Sequence, residues 1–384
     1  MRWDVPVLVV KMGEYPLHHG GLWIARSLGR AGVRVFAMTE SRATPLAVSR
    51  YVTRAGRALD PAASDADNRR NLATALRVIG RPAVAIATDD EAAVWLSENR
   101  PDGVILPNVK RGLPRALADK WSLHTLCAEH GIASPPTFVP TTRDQLEALA
   151  ATLRFPIVLK NSQPFSRVIA PAVQYTMVLD DAAQLRAWAE VNFSEEHPPL
   201  VQEFTPADVA EKWSYQAYRS RHVMSSFTGL KRRDYPLHRG EATLVESLPN
   251  AEVAALGDRF LQSIGYAGMA DLDFVLDTRD KVYRLIDFNP RVGAIAAMCG
   301  TDDGLDLLRI SYLDLTGQHV QPGQQVDQRV FQVEPKDALA RQELQIPEGP
   351  AATLRAYQAD DDRRPAMVVR ARSTLAKVKQ RITS

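Results

Sequence analysis

The first hundred residues confine this chain to one kind of architecture. Aliphatic and β-branched runs at Val5–Lys11, Val33–Thr39, Ala83–Thr88 and Gly103–Leu106 alternate with helical stretches at Gly21–Ala31, Asp65–Ile79 and Asp89–Asn99. Gly21–Ala31 carries Leu22, Ala25, Leu28 and Gly29 on one side. Strands separated by helices pair in parallel, because a parallel pair needs a long crossover, and both faces of the sheet are then covered. The expectation is a Rossmann-like α/β unit, and such sheets place ligands at the carboxyl ends of their strands. The segment Glu14-Tyr-Pro-Leu-His-His-Gly-Gly21 is read as a substrate or interdomain loop. His18 and His19 have no further ligands at metal spacing and count as polar loop groups.

The pattern changes after residue 107. Residues 108–118, with Gly112, Pro114 and basic side chains, read as a boundary, and the helix Asp119–His130 ends at Gly131, a left-handed cap. Pro135-Pro136 then breaks the chain. Extended segments follow at Ile157–Lys160, Val173–Leu179, Leu200–Phe204, Ser214–Arg219, Val223–Leu230, Met269–Leu276 and Val282–Phe288. This composition predicts a second, α+β unit over 113–320, in lobes of about 113–202 and 203–320, after a first unit at 1–112. Residues 321–384 form a weakly patterned extension that finishes in a basic stretch, Arg370 to Arg381.

Bulk properties exclude several function classes. The 384 residues are 45% apolar and 24% charged, as in ordinary globular proteins, and the net charge of +2 gives no global field for nucleic acid or an acidic membrane. No apolar run approaches the ~20 residues of a membrane span, and Val5–Val10 is too short for a signal-peptide core. Cys127 and Cys299 lie far apart and suit a reducing compartment, with one disulfide left open. A cytoplasmic protein is expected. Neither GxxxxGK[ST] nor GxGxxG occurs, so Walker-type and dinucleotide readings fail.

The chemistry concentrates in Asp271-Leu-Asp-Phe-Val-Leu-Asp277, a polar tip, and Val282-Tyr-Arg-Leu-Ile-Asp-Phe-Asn-Pro-Arg291. Read as a hairpin centred near residue 280, it sets Asp273 opposite Asp287 and Asp271 opposite Asn289. These four share one face, while Leu272, Phe274, Ile286 and Phe288 share the core-facing one. Opposed carboxylates about 5 Å apart repel. They need a cation, a shared proton or a basic neighbour, and oxygen ligands beside an amide suit Mg²⁺ completed by substrate phosphates. A solvated strand face whose aspartates pair with lysines from elsewhere has the same pattern. Pro290 ends the strand, and Arg291 emerges just beyond.

Leu285-Ile-Asp-Phe-Asn-Pro-Arg291 resembles the metal-binding strand of ATP-grasp enzymes, with Asp273, fourteen residues before Asp287, matching the first metal ligand. The resemblance extends through Gln202-Glu-Phe-Thr-Pro206, Ser225–Pro236, Leu244–Ser247 and Phe260–Gly268, spanning about 115–315. It looks like the carboxylate–amine ligase branch, related in plan to carbamoyl phosphate synthetase and biotin carboxylase. The resemblance implies an N-terminal α/β domain before a two-lobed ATP-grasp fold, with ATP and Mg²⁺ (or Mn²⁺) as cofactors. It implies metal ligation by Asp273, Asp287 and Asn289, and phosphate contacts from Lys120 and Lys160. Gln202, Glu203, Phe204 and Thr205 match the hinge that reads adenine, with Glu203, Asp208 or Glu211 on the ribose. Lys231 and Arg233 lie where basic residues approach the transferred phosphate, and Arg291 faces the acceptor carboxylate. Two departures stand out. Both principal metal ligands are Asp where Glu is commoner, and the loop after Lys160 lacks glycines, leaving Ser162, Ser166 or Arg167 to hold phosphate.

The implied function is a ligase that activates a carboxylate as an acyl phosphate and joins it to an amine. Its partners would be small molecules, amino-acid or peptide-like, with a homodimer allowed. A carboxylase, a small-molecule kinase or a non-catalytic nucleotide-binding regulatory module are the alternatives. Cys299 is read as a buried small hydrophobe.

Overall fold

The computed structural model describes residues 1–161, 177–238, 240–347 and 351–372. Its amino-terminal part is a parallel sheet of β1 (Val7–Val10), β2 (Val35–Thr39), β3 (Val52–Arg57), β4 (Ala83–Ala87) and β5 (Val104–Ile105), in the order β3-β2-β1-β4-β5. Helices α1 (Gly20–Arg30), α2 (Asp65–Ile79) and α3 (Asp90–Asn99) make the crossovers. The direction of winding reverses between β1 and β4, so their carboxyl ends at Lys11 and Thr88 flank the crevice where such sheets take ligands. β3 is absent from the sequence reading because this edge strand, Val-Thr-Arg-Ala-Gly-Arg, is half exposed and lacks an apolar run.

Helices α4 (Leu113–Ala118) and α5 (Lys120–Glu129) lead into a small antiparallel sheet. It contains β6 (Thr137–Phe138), β7 (Ile157–Asn161), β8 (Met177–Leu179) and β9 (Pro199–Glu203), in the order β6-β9-β7-β8, with α6 (Arg143–Thr152) and α7 (Ala182–Asn192). Of the strand expected at Val173–Leu179, the described part is Met177–Leu179; Ser162, Ser166 and Arg167 lie outside the described residues.

The large sheet comprises β10 (Ala210–Arg219), β11 (Met224–Tyr235), β12 (Glu241–Ser247), β13 (Gly268–Asp277), β14 (Val282–Asn289), β15 (Val330–Gln332) and β16 (Leu354–Arg355), ordered β14-β13-β10-β11-β12-β15-β16. Helix α8 (Ala251–Ser263) covers one face, where Trp213, Tyr215, Leu272, Phe274, Leu285 and Phe288 are buried with Val253 and Phe260. Gly257 allows the close approach, since a Cβ there would lie 2.5 Å from the Tyr215 ring. The opposite face carries the polar residues of β10, β11, β13 and β14. Helices α9 (Leu307–Leu315) and α10 (Glu334–Leu344) follow β14 in the chain.

The extension has a structural part that its weak patterning does not announce. Arg26 of α1 is 1% exposed, and its guanidinium donates to Asp362 at 3.0 Å and to the carbonyls of Ala356 and Tyr357 at 3.1 and 2.6 Å. A charge so deeply buried needs this full set of acceptors. The segment after β16 is therefore fastened to α1, and the parallel sheet, the large sheet and the extension share one apolar core containing Leu28, Phe227, Met298, Phe331 and Tyr357.

Candidate active site

The hairpin β13–β14 pairs Asp273 with Asp287 and Asp271 with Asn289, as the sequence predicts, but a bulge makes it so. From the turn, the register runs Asp277↔Val282 to Phe274↔Leu285; it then shifts, and Ile286 is the extra residue before Asp273↔Asp287. Without the shift Asp273 would face Ile286. The expectation that Ile286 points to the core is corrected by the same bulge: Leu285 is buried with Phe288, and Ile286 is only half-buried.

Every one of these carboxylates meets a cation from another element. Lys231 of β11 lies 2.5 Å from Asp273. Lys120 bonds Asp287 from the start of α5, where the Asp119 side chain caps the helix by accepting from the Ser122 amide at 2.7 Å. Arg291 Nη1 donates to Asp271 at 2.7 Å, and its Nε lies 3.4 Å from Asp90 at the start of α3. Asp271 also accepts from Gln216 Nε2 of β10. Lys160, at the end of β7, donates to Gln202 Oε1 at 3.0 Å, and Gln202 Nε2 donates to Thr137 at 2.8 Å.

Electrostatics ties these groups into one site. Burial and the neighbouring Lys120 pull Lys160 down to about 8, against Asp287 and Asp273, which favour its charge. Burial pushes Asp271 up to about 6, Asp273 adding to the shift while Arg291 and Lys231 oppose it. For Asp287, burial acts upward but Lys120, Lys160 and Arg291 outweigh it, and the carboxyl sits below its ordinary range. Lys231 is likewise desolvated, yet Asp273 and Asp271 hold it above the ordinary lysine value. Lys160 is thus the cation in the cluster whose charge is least compensated, the property expected of a group awaiting an anion.

No protein-family profile matches the chain. A D-aspartate ligase of Enterococcus faecium (strain Aus0004) is 25% identical over 242 residues, covering 58% of this chain and 56% of that protein, so the match spans little more than half the relative's length. The N5-carboxyaminoimidazole synthetase from Staphylococcus aureus superposes with a TM-score of 0.62 at 13% identity, covering 83% of this chain and 79% of that one. The biotin carboxylase domain of a 2-oxoglutarate carboxylase from Hydrogenobacter thermophilus, solved with MgADP and bicarbonate, gives a TM-score of 0.62 at 12% identity over 84% of this chain and 73% of that chain. The chain has the ATP-grasp fold.

Within the ATP-grasp fold the remaining sequence-predicted residues divide. Phe204 and Thr205 are half-buried in the segment after β9, but the amides of Glu203 and Phe204 are spent on the carbonyls of Pro136 and Pro156, each at 3.0 Å. The Glu203 carboxylate accepts from the Arg154 amide at 3.2 Å, Glu211 accepts from Trp213 Nε1 at 2.6 Å, and Asp208 is exposed. The structure therefore brings Lys120, Lys160, Lys231, Asp273, Asp287, Asn289 and Arg291 together. Arg233 is not brought to the cluster. Register shifts on both sides of it break the alternation that would align it with Lys231, and its guanidinium pairs with buried Asp337 of α10 at 2.7 and 3.1 Å. Cys127 and Cys299 are free and buried, and burial drives the Cys299 thiol far up.

The donors suit a metal completed by substrate. Among the described residues no three His, Cys, Asp or Glu form a ready-made cage. Two opposed carboxylates and an amide oxygen do remain, since Asn289 turns its Nδ2 towards Asp271 at 3.3 to 3.4 Å and leaves Oδ1 free of that contact. That set fits Mg²⁺, which binds through one or two carboxylates plus phosphate oxygens. Sequence reasoning missed Gln216 and Asp90. Gln216 is an inward polar residue in the alternating strand Ser214–Arg219, and Asp90 reads as an ordinary acidic helix start.

Proposed function

We propose that this chain is an ATP-dependent ligase that activates a carboxylate by phosphorylation and joins it to an amine. The observation that carries the reading is the opposed pair Asp273–Asp287, ringed by Lys120, Lys160, Lys231 and Arg291. Phosphoryl transfer asks for that set: oxygen ligands for a divalent metal, cations for the phosphate oxygens, and little covalent chemistry from the protein. Magnesium held by Asp273, Asp287 and Asn289 would neutralise charge on the nucleotide phosphates. Lys160 and Lys120 would hold the non-bridging oxygens, and Lys231 the transferred group.

The substrate carboxylate oxygen attacks the γ-phosphorus and ADP leaves. The amine then attacks the carbonyl carbon and loses a proton, and phosphate departs carrying one oxygen of the original acid. Arg291 binds the acid and then the developing oxyanion. The relative named D-aspartate ligase supports an amino-acid carboxylate as substrate. A carboxylase that uses bicarbonate as the carboxyl donor is the second reading, favoured by the fold neighbour solved with MgADP and bicarbonate. The test is ADP release across a panel of acids, with and without amines, followed by ¹⁸O tracing. Transfer of one label from the acid into phosphate with an amide product supports the ligase. Label kept wholly in amide and residual acid refutes the acyl phosphate.

A further inference from the structure

We propose that Asp90 is a positioning residue that fixes the catalytic guanidinium of Arg291 from the parallel-sheet side of the molecule; this rests on the ligase reading for the role of Arg291. The two residues are far apart in sequence, one following a strand of the parallel sheet and the other a strand of the large sheet. Asp90 opens α3, directly after β4, and its backbone is pinned. The preceding Asp89 caps the helix through the Ala92 amide at 2.9 Å and accepts from the Met12 amide at 3.2 Å, while Ala92, Trp95 and Leu96 anchor the helix in the core. An acid at a helix start ordinarily faces water, where the helix dipole suffices to favour it. The Asp90 carboxylate instead turns inward. Its Oδ1 is buried with no hydrogen bond, and the cation facing it is Arg291, with Nε at 3.4 Å.

The arrangement divides the guanidinium by edge. Nη1 donates to Asp271 Oδ2 at 2.7 Å and to the Val292 carbonyl at 3.1 Å, and Nε faces Asp90. Nη2 makes no hydrogen bond among the described residues, and the side chain is 14% exposed. Nη2 is thus the nitrogen left for an incoming carboxylate. Asp90 also acts by exclusion. Arg291 is attracted to Asp287 as well, and a guanidinium released from Asp90 is free to swing onto that metal-ligand carboxylate. Gly293 supports the same geometry, because any Cβ there would lie 1.9 Å from Gln216 Oε1 and displace the second holder of Asp271.

The test compares wild type with Asp90→Asn, which keeps the shape and removes the charge, in crystal structures and in kinetics. The guanidinium of Arg291 should move away from its wild-type place in the variant. The KM for the acid should rise by about tenfold or more, with MgATP affinity by calorimetry within twofold and an unchanged unfolding midpoint. Asp90→Asn added to Arg291→Lys should cause no further loss, since the group being positioned is already gone. A guanidinium that stays in place overturns the proposal, as does an equal loss of acid and ATP binding. Failure of the ligase reading is a separate result, namely wild-type enzyme that releases no ADP with any acid; the crystallographic comparison decides the role of Asp90 even then.

Discussion

Replacing Lys160 by methionine separates what this lysine costs the fold from what it contributes to binding. Its ammonium titrates near 8 rather than 10.5 because burial and Lys120 disfavour the charge. At about 1.4 kcal/mol per pH unit, carrying that charge at neutral pH costs the folded state about 3 kcal/mol. Against this, methionine leaves the buried Gln202 Oε1 without its donor, a loss of about 1–2 kcal/mol. The variant should therefore be more stable than wild type by about 2 kcal/mol at pH 7. The sign with pH follows from a folded value below the unfolded one. Between 8 and 10.5 the unfolded chain holds the proton that the folded protein has shed, so wild-type stability rises relative to the variant. By pH 10 only about 1 kcal/mol of the cost remains and the two proteins become about equally stable. MgATP affinity should fall by ~10–100-fold, since a charge-assisted contact to phosphate is lost. Urea unfolding at pH 7, 8.5 and 10, with calorimetric titration of MgATP, measures both. A variant less stable than wild type at pH 7, or a gap indifferent to pH, refutes the account of Lys160 as a desolvated, poorly compensated cation.

Three further outcomes are expected. Asp287→Asn should lower turnover by ~10³-fold, read as ADP release, because the proposed function makes Asp287 a metal ligand on the transferring phosphoryl group. Arg233→Met should leave MgATP affinity unchanged but destabilise the protein by roughly 3 kcal/mol in urea, since Asp337 is fully buried and loses a bidentate partner. Because Lys231 and Lys120 occupy Asp273 and Asp287, Mn²⁺ followed by electron paramagnetic resonance should bind at least ~10-fold tighter with ADP present than alone. Equal affinity in both conditions would show that the lysines do not compete with the metal.

Local pattern carried much of this molecule. Alternating runs in the first hundred residues specified the parallel sheet, because its buried strands must be apolar throughout. Two-residue alternation assigned Asp271, Asp273, Asp287 and Asn289 to one face, and the apolar run Ile157–Leu159 marked the strand that carries Lys160. Elements with mixed faces escaped: the polar edge strand Val52–Arg57, the helix Arg143–Thr152, and the helix Ala182–Asn192 inside a stretch that reads as extended.

What the tertiary structure alone decided has a common cause. Periodicity holds only while an element stays regular, and it says nothing about which distant element arrives opposite. The bulge at Ile286 exchanges Leu285 into the core while restoring Asp287 to Asp273, and register shifts around Arg233 send its charge to Asp337 instead of the phosphate side. Asp90 and Arg291 meet only because β4 and β14 end beside one another, and Arg26 finds its acceptors in a carboxyl-terminal segment more than three hundred residues away. Buried charges take their partners from whatever the packing brings within about 3–4 Å. A sequence therefore declares that Asp273 and Asp287 need cations, and the fold chooses Lys231 and Lys120 to supply them.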